Sequence, residues 1–264
     1  MKVSLLISTY NWESALNLCL KSVLNQSVAP DEIIISDDGS TNETKRIIEY
    51  YRTITEIPIV HVWHEDKGFR LAKIRNKSIE MAQYNYIVQI DGDIILHKNY
   101  IKDQKKFAKK DTFLSGSRVL LLSEITNNSL QNKTITFNPF SRNIKNRFNA
   151  IYFPFVNYFI KPKSDPIEKL IFKVRGCNMS FWKKDLLEVN GYDESFTSWG
   201  REDSEIAYRL IKKGLNLKKI RLAAIQYHLY HNEQNKNNLE ANNIILEKNK
   251  MNNDYRCKNG IIKD

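Results

Sequence analysis

The chain has 264 residues, 42% of them hydrophobic, and a formal net charge of +11. This length predicts one large domain or one domain with an appendage, and the charge favours anionic partners: nucleotide phosphates, nucleic acid or an acidic membrane surface. Three separated cysteines (Cys19, Cys177 and Cys257) exclude a disulfide framework and a zinc pattern. These cysteines fit a reducing cytosol, so we expect a cytoplasmic protein, with peripheral contact at the inner face of the membrane left open. No apolar run reaches the roughly 18 residues of a membrane span, so we expect no transmembrane helix.

The first half of the chain alternates predicted strands and helices. Short apolar runs predict strands at 3–7, 32–36, 57–62 and 87–90, and apolar residues at helical spacing predict helices around 16–24, 45–51 and 71–81. Strand–helix alternation of this kind is typical of a doubly wound α/β domain with a mainly parallel sheet.

Polar or acidic residues follow each of these strands. Asp91 and Asp93 come directly after the fourth strand, with Gly92 between them. Because an open α/β sheet binds its ligand at the carboxyl ends of its strands, we expect these clusters to converge. Alternate residues of an extended chain point the same way, and a hard divalent cation would offset the repulsion between two carboxylates. A solvated acidic turn is the alternative for the Asp-Gly-Asp stretch taken alone.

Two nucleotide-binding classes lack their motifs. The sequence has no Gly-x-Gly-x-x-Gly after the first strand and no Gly-x-x-x-x-Gly-Lys-Ser/Thr. A dinucleotide oxidoreductase and a P-loop NTPase are therefore disfavoured.

The middle of the chain changes character. A basic helix is predicted at 100–110 and a strand within 112–122, followed by an aromatic and basic insertion at 123–163. This insertion has eight aromatic residues without a clear period: Phe137, Phe140, Phe148, Tyr152, Phe153, Phe155, Tyr158 and Phe159. It could be an acceptor lid or a membrane-surface patch, or its aromatic rings could pack on the main core.

The last third contains a second carboxylate pair. Strand-like sequence at 174–182 and a short helix at 184–190 precede a helix that opens around Glu202 and Asp203. Acids in a first helical turn are ordinary capping residues, but Trp199 and Gly200 beside them could form an aromatic wall for a sugar, where a carboxylate can accept a hydroxyl proton. A last strand at 217–226 leads to His228 and His231, and a surface helix at 239–251 precedes an end that we expect to be loose.

Taken in order, these motifs resemble family 2 glycosyltransferases with the GT-A (nucleotide-diphospho-sugar transferase) fold. The resemblance rests on Ser-Thr-Tyr-Asn at 8–11, Asp-Asp-Gly-Ser at 37–40, Arg-Asn at 75–76 and Asp-Gly-Asp at 91–93. A second resemblance is to the C-terminal part of β-1,4-galactosyltransferases and chondroitin polymerases, and it rests on residues 175–180, 191–194 and 199–203. The resemblance implies a GT-A domain at 1–231, with a nucleotide-binding half (1–110), an acceptor and catalytic half (111–231) and a C-terminal helical tail (232–264).

The same resemblance implies roles for individual residues. Asp203 would be the catalytic base and Glu202 would orient the sugar or acceptor, while Asp93 and a histidine, His228 before His231, would bind Mn²⁺ or Mg²⁺. Thr9, Tyr10 and Asp38 would hold uracil and ribose. The complete set of implied nucleotide-sugar-binding residues is Thr9, Tyr10, Asn11, Asp37, Asp38, Lys67, Arg70, Arg75, Asp91, Gly92, Trp199 and Gly200.

The expected function is an inverting, metal-dependent transfer of a hexose or N-acetylhexosamine. The donor would be a UDP-sugar and the acceptor a saccharide or glycolipid in surface polysaccharide or lipopolysaccharide synthesis. A basic nucleic-acid-binding protein is one alternative, but it lacks a helix-turn-helix, zinc-finger or RNP signature and leaves the ordered carboxylates unexplained. A nucleotidyltransferase on a related sheet is the other, although it normally has a glycine- and lysine-rich loop after the first strand.

Overall fold

The computed structural model describes residues 1–160, 166–232 and 239–263. Residues 161–163 of the predicted insertion therefore lie outside the described part. The strands are β1 (Val3–Thr9), β2 (Glu32–Asp37), β3 (Ile59–Trp63), β4 (Tyr86–Asp91), β5 (Ile94–Leu96), β6 (Thr112–Ser115), β7 (Val119–Leu121), β8 (Ile144–Lys145), β9 (Met179–Trp182), β10 (Asn216–Lys219) and β11 (Gln226–His228). The α-helices are α1 (Glu13–Leu24), α2 (Asn42–Ile54), α3 (Leu71–Met81), α4 (Tyr100–Phe107), α5 (Ser123–Asn132), α6 (Ile167–Ile171), α7 (Lys183–Glu188), α8 (Glu202–Lys212) and α9 (Leu239–Met251).

A seven-stranded sheet forms the centre of the molecule, in the order β10-β6-β9-β4-β1-β2-β3. Every strand pair is parallel except the two that involve β9. All residues of β1 and β2 are buried, as expected for parallel strands covered by helices on both faces. The predicted α/β architecture with a mainly parallel sheet is confirmed.

A second, smaller sheet has the order β5-β11-β7-β8. The chain passes from the large sheet to the small one at Gly92 and Asp93, between the end of β4 and the start of β5. Strand β11 runs antiparallel to β5, with His228 opposite Ile94. The junction of the two sheets therefore places His228 beside the chain segment that carries Asp93.

Two predicted strand regions are divided between the two sheets: the strand predicted within 112–122 is present as β6, whereas the single strand predicted at 217–226 is wrong. The 112–122 stretch contains β6 and β7, and the turn between them is held by Asn178, whose amide donates to the Ser117 carbonyl at 2.8 Å. The 217–226 stretch contains β10 and the start of β11, separated at Leu222 and Ala224 by left-handed backbone, with φ of 53° and 45°. Left-handed residues interrupt an extended chain.

The insertion at 123–163 contains α5, β8 and two short 3₁₀ turns. Phe137 and Tyr152 pack beside the small sheet. The other six aromatic side chains are more than half exposed: Phe140, Phe148, Phe153, Phe155, Tyr158 and Phe159. The interpretation that these rings pack on the main core is therefore wrong for six of the eight.

The C-terminal segment is packed rather than loose. Helix α9 forms as predicted, and the chain beyond it returns to Asn190, whose amide nitrogen donates to the carbonyls of Cys257 and Ile262. Gly260 lies so close to Asn190 that a Cβ there would be 1.9 Å from the Asn190 carbonyl oxygen. The expectation of a loose end is thus wrong for residues 257–262, which are anchored at Asn190. Among the described residues, no helix has the length and apolar character needed to cross a bilayer.

Candidate active site

The carboxyl ends of β1, β2 and β4 meet at one edge of the large sheet. The Gly92 N–H donates to the Ser8 carbonyl at 2.7 Å, and a Cβ on Gly92 would lie 3.1 Å from Thr9 Oγ1. The absence of a side chain at Gly92 thus lets the exit of β4 lie directly against the exit of β1. The Asp38 N–H donates to the Thr9 carbonyl at 3.0 Å, which joins the exit of β2 to the same edge.

Asp38 is held by two partners from the segment after β3. Its carboxylate lies 2.6 Å from His64 Nε2 and accepts the Arg70 backbone N–H at 2.9 Å. Burial raises the pKa of Asp38, against the lowering effect of these two partners, and burial lowers the pKa of His64. His64 was missed in the sequence, where its only signal is a polar residue directly after an apolar strand.

Asp37 lies in a different environment from Asp38. It is fully buried, accepts the Ser40 N–H at 2.8 Å and lies 2.8 Å from His61 Nε2. These contacts close the turn that follows β2. Asn11, with a left-handed φ of 42°, braces the same turn by donating its N–H to Ser40 Oγ. Both residues are thus close to the sheet edge, and both are engaged in shaping it.

The predicted basic and aromatic nucleotide contacts are more exposed. Tyr10 is 52% exposed and donates its hydroxyl to Asp66 at 2.9 Å. Lys67 lies 3.0 Å from Glu65 on the surface, and the Arg70 guanidinium donates to the Glu65 carbonyl. These side chains lie in the segments that follow β1 and β3, at the same edge of the large sheet as Asp38 and Thr9.

Asp93, His228 and His231 converge at the junction of the two sheets. One ligand atom from each lies within 4.8 Å of the other two, and Asp93 Oδ2 is 3.4 Å from His228 Nε2 and 3.3 Å from His231 Nε2. Asp93 Oδ1 is buried and has no hydrogen-bond partner among the described residues. Carboxylate oxygen and imidazole nitrogen form a donor set suited to a divalent metal, so the three residues fit one.

Arg75 connects the two carboxylate clusters and is fully buried. Its guanidinium lies 3.2 Å from Asp91 and 3.0 Å from Asp203, and it also packs 5.3 Å from the centre of the Tyr192 ring. Burial lowers the pKa of Arg75, but the charges of Asp203 and Asp91 outweigh that effect and raise it overall. Burial raises the pKa of Asp91 to about 6, although Arg75 opposes the shift. The family resemblance implied that Arg75 binds the nucleotide-sugar, and in the structure its guanidinium lies between two carboxylates.

Asp203 is held on both carboxylate oxygens. Oδ1 faces Arg75, and Oδ2 accepts the Gly176 N–H at 2.8 Å. A Cβ on Gly176 would lie 2.1 Å from Asp203 Oδ2, so a side chain there would have to displace the Asp203 carboxylate. The side chain of Asp203 nevertheless stays 23% exposed, which leaves it open to a ligand.

Glu202 has different surroundings from Asp203. It is 6% exposed, and its Oε2 has no hydrogen-bond partner among the described residues. Burial, together with the neighbouring charge of Asp203, raises the pKa of Glu202 to about 8. Trp199, three residues earlier, is 40% exposed. The start of α8 thus combines one partly exposed carboxylate, one buried carboxyl and an exposed indole ring.

Two sequence families match this chain. The model of glycosyl transferase family 2 matches residues 4–165, and that of the N-terminal domain of galactosyltransferase matches residues 169–232. Among curated proteins, the chain is 26% identical to Escherichia coli chondroitin synthase over 86% of its own length, and 28% identical to Pasteurella multocida hyaluronan synthase over 83%. It spans only 34% and 24% of those two proteins.

Solved structures show the same fold. S. aureus TarS 1–349 in complex with UDP has a TM-score of 0.65 and 17% identity, covering 96% of this chain and 66% of that one. A mannosyltransferase from Pyrobaculum calidifontis, in complex with GDP-Man and Mn²⁺, has a TM-score of 0.59 and 15% identity, covering 88% of this chain and 58% of that one. The expected GT-A fold is confirmed.

Proposed function

This chain belongs to glycosyl transferase family 2, and from that premise we propose that it transfers a hexose or N-acetylhexosamine from a UDP-sugar to a saccharide or glycolipid hydroxyl. The observation that carries the proposal is the meeting of Asp91 and Asp203 on Arg75, next to Asp93. One sheet edge thus holds acids suited to a nucleotide, a cation and an acceptor hydroxyl.

Asp38, Thr9 and Tyr10 are assigned to uracil and ribose. Asp38 is fixed by His64 and Arg70, so its orientation is set before a ligand arrives. The half-exposed Tyr10 ring offers an aromatic face for a base. Solved structures of the same fold in complex with UDP and with UDP-GlcNAc support a UDP-sugar donor.

Asp93, His228 and His231 are assigned to a divalent cation, Mn²⁺ or Mg²⁺. When bound, such an ion neutralises the charge that develops on the departing diphosphate. The buried, unpartnered Asp93 Oδ1 supports this assignment, because a buried carboxylate oxygen without a partner is costly. A solved relative in complex with Mn²⁺ is consistent with it.

Asp203 is assigned as the base of a single inverting displacement. The acceptor hydroxyl gives its proton to Asp203 while its oxygen forms a bond to the anomeric carbon, and the bond from that carbon to UDP breaks. Arg75 and Gly176 hold the carboxylate during this step. Glu202 and Trp199 are assigned to orient the sugar or the acceptor, and Asp91 to contact the ribose.

Surface polysaccharide or lipopolysaccharide synthesis is the proposed setting. Chondroitin synthase and hyaluronan synthase, which this chain resembles, are polysaccharide-synthesising proteins by name. We place the enzyme in the cytoplasm, with peripheral contact at the inner face of the membrane and no nucleic-acid partner. The contact would use the aromatic-basic surface, which we define as the exposed Phe153, Phe155, Tyr158 and Phe159 with Lys106 and Lys218.

A donor screen tests the proposal. The chain is incubated with a panel of UDP-sugars and an oligosaccharide acceptor series, and UDP release is measured with Mn²⁺ or with excess EDTA. We expect release from one or two donors, dependent on the metal and on the acceptor.

Asp93→Asn should abolish release and weaken UDP binding in Mn²⁺ without unfolding the chain. Full activity in EDTA would contradict the metal assignment. If none of the UDP-sugars releases UDP, the proposal that the donor is a UDP-sugar is contradicted.

A further inference from the structure

The C-terminal helix α9 contacts the loop that leads into the two carboxylates at the start of α8. Asn242, on α9, is 2% exposed and directs its amide group at residues 198–200. Its Nδ2 lies 3.0 Å from the Ser198 carbonyl oxygen, 3.2 Å from that of Trp199 and 2.7 Å from that of Gly200. Its Oδ1 accepts the Ser198 hydroxyl at 3.2 Å. One buried side chain is therefore within hydrogen-bond distance of the carbonyl oxygens of three consecutive residues.

This loop has a backbone that needs external support. Gly200 and Arg201 are both left-handed, with φ of 100° and 80°. A left-handed conformation is unfavourable for a residue that has a side chain, such as arginine. The Arg201 guanidinium donates to the side chain of Asn243, the residue after Asn242, at 2.7 Å. Two adjacent asparagines of α9 thus hold the conformation through which the chain enters α8.

We propose that Asn242 is a positioning residue for the transfer reaction, an inference that rests on the proposed function. By holding the carbonyl groups of residues 198–200, it fixes Trp199 and, three residues after Gly200, Asp203 against Arg75. A misplacement of about 1 Å by a residue outside the chemistry can cost on the order of 10²-fold in rate. Helix α9 lies beyond the residues that the two family models match, which end at 165 and 232, so the positioning contact comes from a segment outside both matches.

Aspartate at position 242 makes the sharpest test. It has nearly the shape of asparagine, but its carboxylate donates no hydrogen bond and would face three carbonyl oxygens. Asn242→Ala is the second variant, in case the aspartate variant does not fold. Leu246→Ala is the matched control, because Leu246 lies one turn further along α9, is 1% exposed and belongs to the same hydrophobic cluster as Ile206 and Leu210 of α8.

Each variant is compared with the unaltered chain at the same interval below its own Tm. We expect both Asn242 variants to lower kcat by about tenfold or more, with the Kd for UDP in Mn²⁺ changed by less than about twofold. Leu246→Ala should lower Tm at least as far and keep kcat within about threefold. An Asn242 variant that keeps kcat within about twofold, or an equal kcat loss in Leu246→Ala, would overturn the proposal.

A readout independent of activity separates this inference from the proposed function. Hydrogen exchange of the peptide that covers residues 198–203 should accelerate in both Asn242 variants and change much less in Leu246→Ala. If the unaltered chain transfers no sugar, the proposed function fails, and this exchange pattern alone decides whether Asn242 holds the loop. Unchanged exchange in both Asn242 variants would overturn the positioning role whatever the activity.

Discussion

Asp203 and Glu202 are adjacent in sequence, yet their side chains meet different surroundings, and this difference predicts different effects of substitution. Asp203→Asn keeps the shape of the side chain and removes the proton acceptor. Because general-base assistance is typically worth roughly 10²–10⁴-fold, kcat should fall by about that factor. UDP affinity, measured by calorimetry in Mn²⁺, should change little. Retention of more than about a tenth of the turnover would contradict the assignment of the base.

Glu202→Gln is the comparison for that experiment, since it should weaken apparent sugar binding as well as rate. An inactive Glu202→Gln beside an active Asp203→Asn would mean that the two roles are exchanged. If both variants stay active, neither carboxylate is the base.

The buried Glu202 carboxyl also predicts a pH dependence of stability. Its pKa in the folded protein is raised to about 8 from an ordinary value of 4.5, mainly by burial. A raised pKa means that the folded chain holds a proton that the unfolded chain has lost. The stabilising contribution is therefore complete below pH 4.5 and declines as pH rises towards 8. A tenfold difference in proton affinity between the folded and the unfolded chain corresponds to about 1.4 kcal/mol in the free energy of unfolding.

Glu202→Gln removes this titration. We expect the urea midpoint of the unaltered chain to fall between about pH 5.5 and 8.5 by more than that of the glutamine variant, when both are measured in parallel at about half-unit steps. Parallel curves for the two chains would show that Glu202 does not titrate in this range.

The metal assignment predicts unequal effects for the two histidines. Side-chain exposure is 12% for His228 and 34% for His231, and His228 lies in β11 beside β5. Loss of an outer-shell partner typically costs about 10–100-fold in metal affinity, and loss of a ligand should cost at least as much. We expect His228→Ala to weaken Mn²⁺ binding more than His231→Ala, as measured by calorimetry or by electron paramagnetic resonance of the free Mn²⁺. Equal, small losses would mean that neither histidine is a ligand.

At the scale of secondary structure, sequence patterns predicted elements well where one element stays in one layer. The runs at 3–7, 32–36 and 87–90 lie within β1, β2 and β4, because buried parallel strands are continuously apolar. The patterns did not show that the 112–122 and 217–226 stretches are each divided, where the chain leaves one sheet and joins another. The 220–225 segment stays mostly apolar across its change, and only the left-handed backbone at Leu222 and Ala224 marks the break. In the 112–122 stretch the polar segment Gly-Ser-Arg at 116–118 separates the two strands, and the buried Asn178 amide holds that turn.

The segment that precedes β9 provides a prediction about the base. Gly176 donates its N–H to Asp203, and an alanine Cβ there would lie 2.1–2.4 Å from the carboxylate atoms. Gly176→Ala should displace Asp203, with an overpacking cost of roughly 1–3 kcal/mol and a loss of kcat. Cys177→Ala, which removes a buried sulfur from the next residue, is the control. Activity lost equally in both variants, at matched stability, would show a general packing effect rather than a displaced base.

At the scale of the whole molecule, the site residues follow from the sequence only in part. Asp91, Asp93 and Asp203 could be chosen because strand ends and helix starts are where ligands bind. The contact of Asp203 with Arg75 could not be predicted, since the two residues are 128 positions apart and no local pattern encodes their contact. The same holds for His64 beneath Asp38 and for Asn242 beneath residues 198–200. Each is a buried polar residue whose partner appears only when distant segments meet.

The aromatic-basic surface gives the last prediction, at the scale of the molecule and its surroundings. Lys106 Nζ lies 5.3 Å from the centre of the Phe155 ring, and Lys218 Nζ lies 5.0 Å from that of Phe107. Each basic residue near an anionic bilayer adds about 1 kcal/mol of attraction, and inserted rings add about 25 cal/mol per Å² of buried apolar surface. The chain should therefore sediment with phosphatidylserine vesicles at low salt and remain free with phosphatidylcholine vesicles.

Phe155→Ser combined with Phe159→Ser should reduce sedimentation with anionic vesicles, and Lys106→Glu should reduce it most at low salt, where charge is least screened. Tyr50→Ser is the control, because Tyr50 is a similarly exposed ring, 58% accessible, on helix α2. Phe159 is 85% exposed, so removing its ring should leave Tm nearly unchanged. A second outcome would assign this surface to the acceptor instead of the membrane. In that case the unaltered chain binds no vesicles, and the Phe155 and Phe159 variant loses the binding of an acceptor saccharide. If the unaltered chain binds neither vesicles nor saccharide through it, the surface has neither role.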